Sequence, residues 1–223
     1  MQLQSYVPRV AWGIVAAIWA FAVAGAAWCT TSYEFSTDNQ VRMNSAKWPS
    51  TPTLVPAKDR PTLLVFVHPR CPCTRSTLHE LMRLLGTRRI SSAQQPNILV
   101  VATLPKDAGK DWRETDVMQL ASQLPRSRVV WDVDGRESRC FQVRTSGFVI
   151  LYDADGEQLF AGGVTVSRGH EGASTGGNRL RSLLSQEVSV PLESTPAFGC
   201  RLCLGGDPSS NERRSTEAEN SML

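Results

Sequence analysis

A continuous apolar run from Thr62 to His68 leads through Pro69 and Cys71-Pro72-Cys73 into leucines at helical spacing, and this segment constrains the chain more than any other. The run has the length and uniform apolarity of a strand buried on both faces. From Cys73 to Thr87, residues Leu78, Leu81, Met82, Leu84 and Leu85 fall on one helical face, and Gly86 lies near the end. A helix N-terminus carries partial positive charge and unpaired backbone N–H groups, so a thiol placed there ionises more readily. The segment predicts a reactive thiolate, with Cys71 as the nucleophile.

The rest of the body continues this alternation. Asn97 to Leu104 predicts a second buried strand. Asp111 to Leu124 predicts a helix with Trp112, Val117, Met118, Leu120, Ala121 and Leu124 facing inward. A third strand over Arg128 to Asp132 and a short helix over Gly135 to Gln142 follow. Phe148–Tyr152 and Gln158–Gly162 flank Asp155-Gly156 and read as a hairpin, and a helix from Gly177 to Gln186 closes the body. The order β-α-β-α-β-α-β-β-α predicts an α/β fold over residues 60–188, with a mixed sheet covered by helices on both faces.

Val10 to Cys29 contains no charged residue, and at about 1.5 Å rise per residue it is long enough to cross a bilayer core. Arg9 precedes it and Glu34 and Asp38 follow. The positive-inside tendency therefore puts residues 1–9 in the cytoplasm and the remainder outside, anchored in an inner (cytoplasmic) membrane with the domain on the periplasmic or extracytoplasmic side. Ala24-Gly25-Ala26 leaves open a cleaved signal peptide. Trp28 stands before Cys29, where a lipid-modified cysteine would need a small residue. Residues 30–59 are rich in Ser, Thr, Pro and Asn and read as a linker, residues 189–204 as an extension carrying a C-x-x-C, and residues 205–223 as a polar, disordered tail. The net charge of +3 comes from scattered basic residues, which excludes a nucleic-acid-binding stripe.

Six cysteines in an exported chain permit disulfides. A bond within Cys71-Pro72-Cys73 would close a small strained ring, hence one easily reduced, which suits exchange better than structure. Cys71 would attack a protein disulfide and Cys73 would release the product, so protein thiols or disulfides are the expected partners. His68 and Arg70 are candidates to tune the thiolate. Cys200 and Cys203 form either a second redox pair or a structural disulfide. Cys29 and Cys140 are solitary, Cys140 being a small apolar residue of a short helix. The exchange reading needs no cofactor, but Cys71 and Cys73 could instead present soft thiolates to copper(I) with His170 completing a metal site. A third alternative is a non-catalytic interaction domain.

The element order, with Cys-Pro at the first strand-to-helix junction, resembles the thioredoxin-like superfamily, and in particular its membrane-tethered extracytoplasmic TlpA and ResA branch. His68-Pro-Arg-Cys-Pro-Cys73 together with Gly162-Gly-Val-Thr-Val-Ser-Arg-Gly-His170 is also similar to the RedB type. The resemblance implies a thioredoxin-like fold and thiol–disulfide exchange. It also exposes two departures: Thr74 stands where the family's C-x-x-C has its second cysteine, and Gly147 stands where the family has a cis-proline facing the thiols.

Overall fold

The structure is a computed structural model that describes residues 6–35, 47–50, 53–87, 90–92, 94–185 and 194–203. The chain divides into two units, Met1–Ser36 and Thr37–Leu223.

In the first unit a single helix, α1, runs Tyr6–Glu34. Its segment Ala11–Glu34, of 24 residues with an 18-residue stretch of mean hydropathy 1.8, is long and apolar enough to cross a membrane. The helix continues beyond Cys29, where the apolar run stops. The reason is local: the Thr30 hydroxyl donates to the Ala26 and Ala27 carbonyls at 3.1 and 2.9 Å, so this polar side chain is satisfied within the helix.

The second unit is built on a six-stranded sheet in the order β3-β2-β1-β4-β5-β6. The strands are β1 (Thr62–Val67), β2 (Asn97–Leu104), β3 (Ser127–Val133), β4 (Val149–Tyr152), β5 (Gln158–Gly162) and β6 (Ser194–Thr195). The first three are parallel, β4 runs antiparallel to both β1 and β5, and β6 is parallel to β5. The helices are α2 (Thr74–Leu85), α3 (Asp116–Ala121), α4 (Arg136–Cys140) and α5 (Thr175–Leu184). All six residues of β1 are buried, as expected for a central strand covered on both faces. Leu63, Val65 and Val67 point into a core shared with α2, α3 and α5. Leu64 and Phe66 point into a second core with Phe141, Phe148, Ile150 and Tyr152. This is a thioredoxin-like fold, as the element order predicts.

Three segments differ from the sequence expectation. The helix expected over Asp111 to Leu124 is split into a 3-10 turn, Lys110–Trp112, and α3. Thr115 causes the break: its hydroxyl accepts from the Met118 N–H as the α3 N-cap and donates to the Pro69 carbonyl at 2.9 Å. Trp112 is left outside the core, half-buried. Within the stretch expected to be linker, Trp48 packs edge-on against Tyr152 and Phe141, with centroids 4.8 and 5.3 Å away, and Leu54 is buried. β6 adds a strand to the hairpin edge. The tail expected over 205–223 lies outside the described residues.

Buried Asp132 joins β3 to the start of α4. Its carboxylate accepts from the Glu137 and Ser138 N–H groups at 2.9 and 3.0 Å, from the Ser138 hydroxyl at 2.6 Å and from the Thr103 hydroxyl at 3.3 Å. Asp132→Ala would strand several buried donors, so it is expected to cost about 3 kcal/mol in a urea titration. A loss below about 1 kcal/mol would mean that water replaces the carboxylate.

Candidate active site

The chain leaves β1 at Val67 and turns sharply, the Cys71 N–H donating to the His68 carbonyl at 2.9 Å. Two further turn bonds, Thr74 N–H to Cys71 carbonyl and Arg75 N–H to Pro72 carbonyl, both at 3.2 Å, wind the chain into α2. Cys71 is wholly buried and Cys73, the α2 N-cap, is half-buried. Thr74, at the first position of α2, is buried beside them.

The connection into β4 faces this turn. Gly147 donates to the Phe66 carbonyl at 2.8 Å, continuing the β1–β4 pairing toward the cysteines. Its φ of 84° favours glycine, and a Cβ there would lie 2.7 Å from the Thr77 hydroxyl oxygen. Glycine at this position is thus a requirement of backbone shape and of space. The neighbouring Ser146 hydroxyl accepts from the His68 N–H at 2.7 Å and lies 2.6 Å from the Thr74 hydroxyl.

Against the same connection lies the C-terminal segment. Ser146 N–H donates to the Cys200 carbonyl and Leu202 N–H to the Arg144 carbonyl, each at 2.8 Å, with Thr145 and Arg201 paired antiparallel. The Arg168 guanidinium donates to the Gly199 carbonyl at 2.7 Å. A Cβ on Gly199 would run into the Ser146 carbonyl oxygen, so this close docking needs glycine. The result brings together residues 129 positions apart: the Cys200 N–H donates to the Cys71 sulfur at 3.3 Å.

These contacts separate the thiols electrostatically. A hydrogen bond from the Cys200 thiol is the main cause holding Cys71 down at about 4; burial opposes it, and the Thr74 hydroxyl and the Cys200 and Thr74 N–H groups add to it. Cys200 is pushed up, first because its thiol is committed as donor to Cys71, then by burial and by repulsion from Cys71 and Cys73; Arg168 opposes the shift. Burial, followed by repulsion from Cys71, also raises Cys73, again against Arg168. The arrangement therefore carries one thiolate, at Cys71. Because Ser146 accepts from His68, its own proton is available to the Thr74 oxygen, which leaves the Thr74 hydroxyl proton for the Cys71 sulfur.

The structure thus gathers Cys71, Cys73, Thr74, Gly147 and Cys200. His68 contributes its backbone N–H, while its ring lies 5.3 Å from that of Trp112 and its Nδ1 accepts from the Arg70 N–H at 3.2 Å. Arg70 pairs with Asp111 and stacks 4.3 Å over Trp112. The cation that acts on Cys73 and Cys200 is instead Arg168. His170 directs Nδ1 to the Ser167 hydroxyl and the Arg168 carbonyl, at 2.9 and 3.0 Å. Among the described residues no group of three or more His, Cys, Asp or Glu side chains is placed to hold a metal ion, so the copper set of Cys71, Cys73 and His170 is not assembled. Cys140 and Cys203 are half-buried and Cys29 is exposed on α1.

Sequence reasoning did not find Ser146, Arg168 or the pairing of Cys200 with Cys71. Only the last left a signal, a second cysteine pair in the same chain.

No family model and no curated protein matches the chain. Among solved structures, an uncharacterised conserved protein from Geobacillus kaustophilus is similar at 16% identity and TM-score 0.56, over 74% of this chain and 95% of that one. A hypothetical protein from Sinorhizobium meliloti is similar at 14% identity and TM-score 0.57, over 73% and 96%. A secreted Mycobacterium tuberculosis disulfide oxidoreductase homologous to E. coli DsbE matches at 18% identity and TM-score 0.38, over 58% and 83%. At these identities the likeness to the first two is one of fold.

Proposed function

We propose that the protein carries out thiol–disulfide exchange through Cys71, with protein thiols or disulfides as its partners. The single observation behind this reading is the environment of the Cys71 sulfur, which accepts hydrogen bonds from Cys200 and Thr74 at a strand-to-helix turn. A thiolate is the attacking species in exchange, and donors aimed at one sulfur generate it at neutral pH. Thr74, standing where the superfamily carries a second cysteine, serves here as a hydroxyl donor. Attack on a partner requires the C-terminal segment to move off Cys71, which is 0% exposed.

Helix α1 tethers this domain to the inner membrane by its span Ala11–Glu34, and Arg9 before that span with Glu34 at its end favours an extracytoplasmic domain. Such a location supplies the oxidising surroundings in which disulfide substrates persist.

Reduction of insulin disulfides, with dithiothreitol as electron source, tests the reading. The full chain in detergent is expected to accelerate insulin precipitation, and Cys71→Ser is expected to fall to the rate of dithiothreitol alone. Equal rates for the two proteins would remove Cys71 as the nucleophile.

A further inference from the structure

Resting on the exchange reading, we infer that Cys200, delivered by the C-terminal segment, is the thiol that resolves the Cys71 mixed disulfide, so that the redox pair is Cys71–Cys200 rather than the C-x-C. Cys200 is the residue that lies on the Cys71 sulfur: its N–H donates to that atom at 3.3 Å. The segment presents it as a docked partner strand would, through two backbone hydrogen bonds to residues 144 and 146, a third from Arg168, and burial of Ala197, Phe198 and Leu202. Cys73 also touches Cys71. It stands two positions along the same helical turn, however, where side chains diverge, and a bond to it would close a ring through one proline.

The chemistry balances as follows. With the segment lifted, the Cys71 thiolate attacks a partner disulfide; a Cys71–partner S–S bond forms, the partner's S–S bond breaks, and one partner sulfur leaves as thiolate. When the segment docks again, Cys200 gives its proton to that thiolate and its sulfur attacks the Cys71 sulfur. A Cys71–Cys200 bond forms, the mixed disulfide breaks, and the second partner thiolate takes a proton from water. Two electrons pass from the Cys71–Cys200 dithiol to the partner disulfide. The order of steps is built into the electrostatics: what chiefly keeps Cys200 protonated is the Cys71 thiolate, and that charge disappears once Cys71 is in a mixed disulfide, leaving Arg168 to favour the Cys200 anion.

The test is to treat the reduced full chain in detergent with glutathione disulfide, block free thiols, digest with trypsin and map disulfides by mass spectrometry. Cleavage after Arg70 and Arg75 isolates Cys71 with Cys73, and cleavage after Arg201 separates Cys200 from Cys203. The expected product links the Cys71–Arg75 peptide to the peptide ending at Arg201. That link persists in Cys73→Ser and is lost in Cys71→Ser. In Cys200→Ser, glutathione on Cys71 is expected to accumulate at least about tenfold over the unsubstituted chain, because the resolving thiol is gone. A bond inside the Cys71–Arg75 peptide, or glutathione accumulating on Cys71 in Cys73→Ser and not in Cys200→Ser, overturns the inference while leaving the exchange reading intact. A Cys71 that stays unmodified in every variant overturns both.

Discussion

Reduced protein taken from pH 8 to pH 5 is expected to keep Cys71 ionised, because its sulfur titrates at about 4 where an ordinary thiol titrates at 9.0. The ultraviolet absorbance of the thiolate, measured as the difference between the full chain and Cys71→Ser, should persist to pH 5 and vanish only around pH 4. The same shift links to stability. Below about pH 8.5 the unfolded chain protonates both Cys71 and Cys200, whereas the folded chain keeps a proton on Cys200 alone. The unfolded state then binds one more proton, so folding stability rises with pH by up to about 1.4 kcal/mol per unit. A depressed folded value means that this contribution is complete above the unfolded value and is lost as pH falls through about 4. Urea titrations at several pH values should show this slope, reduced in Cys71→Ser. A difference absorbance lost by pH 7 would show that the donors do not hold the thiolate.

Gly199→Ala is expected to open the site. The added methyl meets the Ser146 carbonyl oxygen, which is backbone held in the connection to β4 and cannot swing aside as a side chain would. The segment must lift, and with it go the Cys200 N–H and thiol, the first of which lies 3.3 Å from the Cys71 sulfur. Thr74 alone then supports the charge. The Cys71 midpoint should rise by roughly two units or more, since loss of the main donor removes most of what favours the anion. At the same time Cys71, wholly buried in the closed arrangement, becomes open to reagents. A bulky maleimide should modify Gly199→Ala at pH 7 faster than the unsubstituted chain, by at least about tenfold, as expected when a protecting segment is undocked. An unchanged midpoint together with unchanged protection would mean that the segment does not cover Cys71 in solution.

Much of this arrangement is legible in the sequence. The unbroken apolar run of β1 and the 3.6-residue spacing of the α2 leucines are distinct patterns, and the turn between them sits where a central strand meets a helix. The element order follows from the same alternation, and its resemblance to the thioredoxin-like superfamily implies the fold. The spacing of Trp112 predicts an inward position on a helix continuous with Val117, and the Thr115 cap that interrupts that helix depends on a carbonyl, that of Pro69, from another part of the chain. Adjacency alone makes Arg70 the expected charge beside the thiol. The fold commits it to Asp111 and Trp112 and brings Arg168 instead.

Local sequence determined that a cysteine would stand at the end of a buried strand and the start of a helix, since apolar period and turn chemistry act over neighbouring residues. Which thiol partners it was decided by tertiary structure alone. Hydrogen bonds between residues 144–146 and 200–202, and the absence of a side chain at Gly199, bring Cys200 across 129 positions onto Cys71. The ionisation of a sulfur depends on the donors within a few ångströms of it, and nothing in the spacing of residues along a chain specifies a distance of that kind.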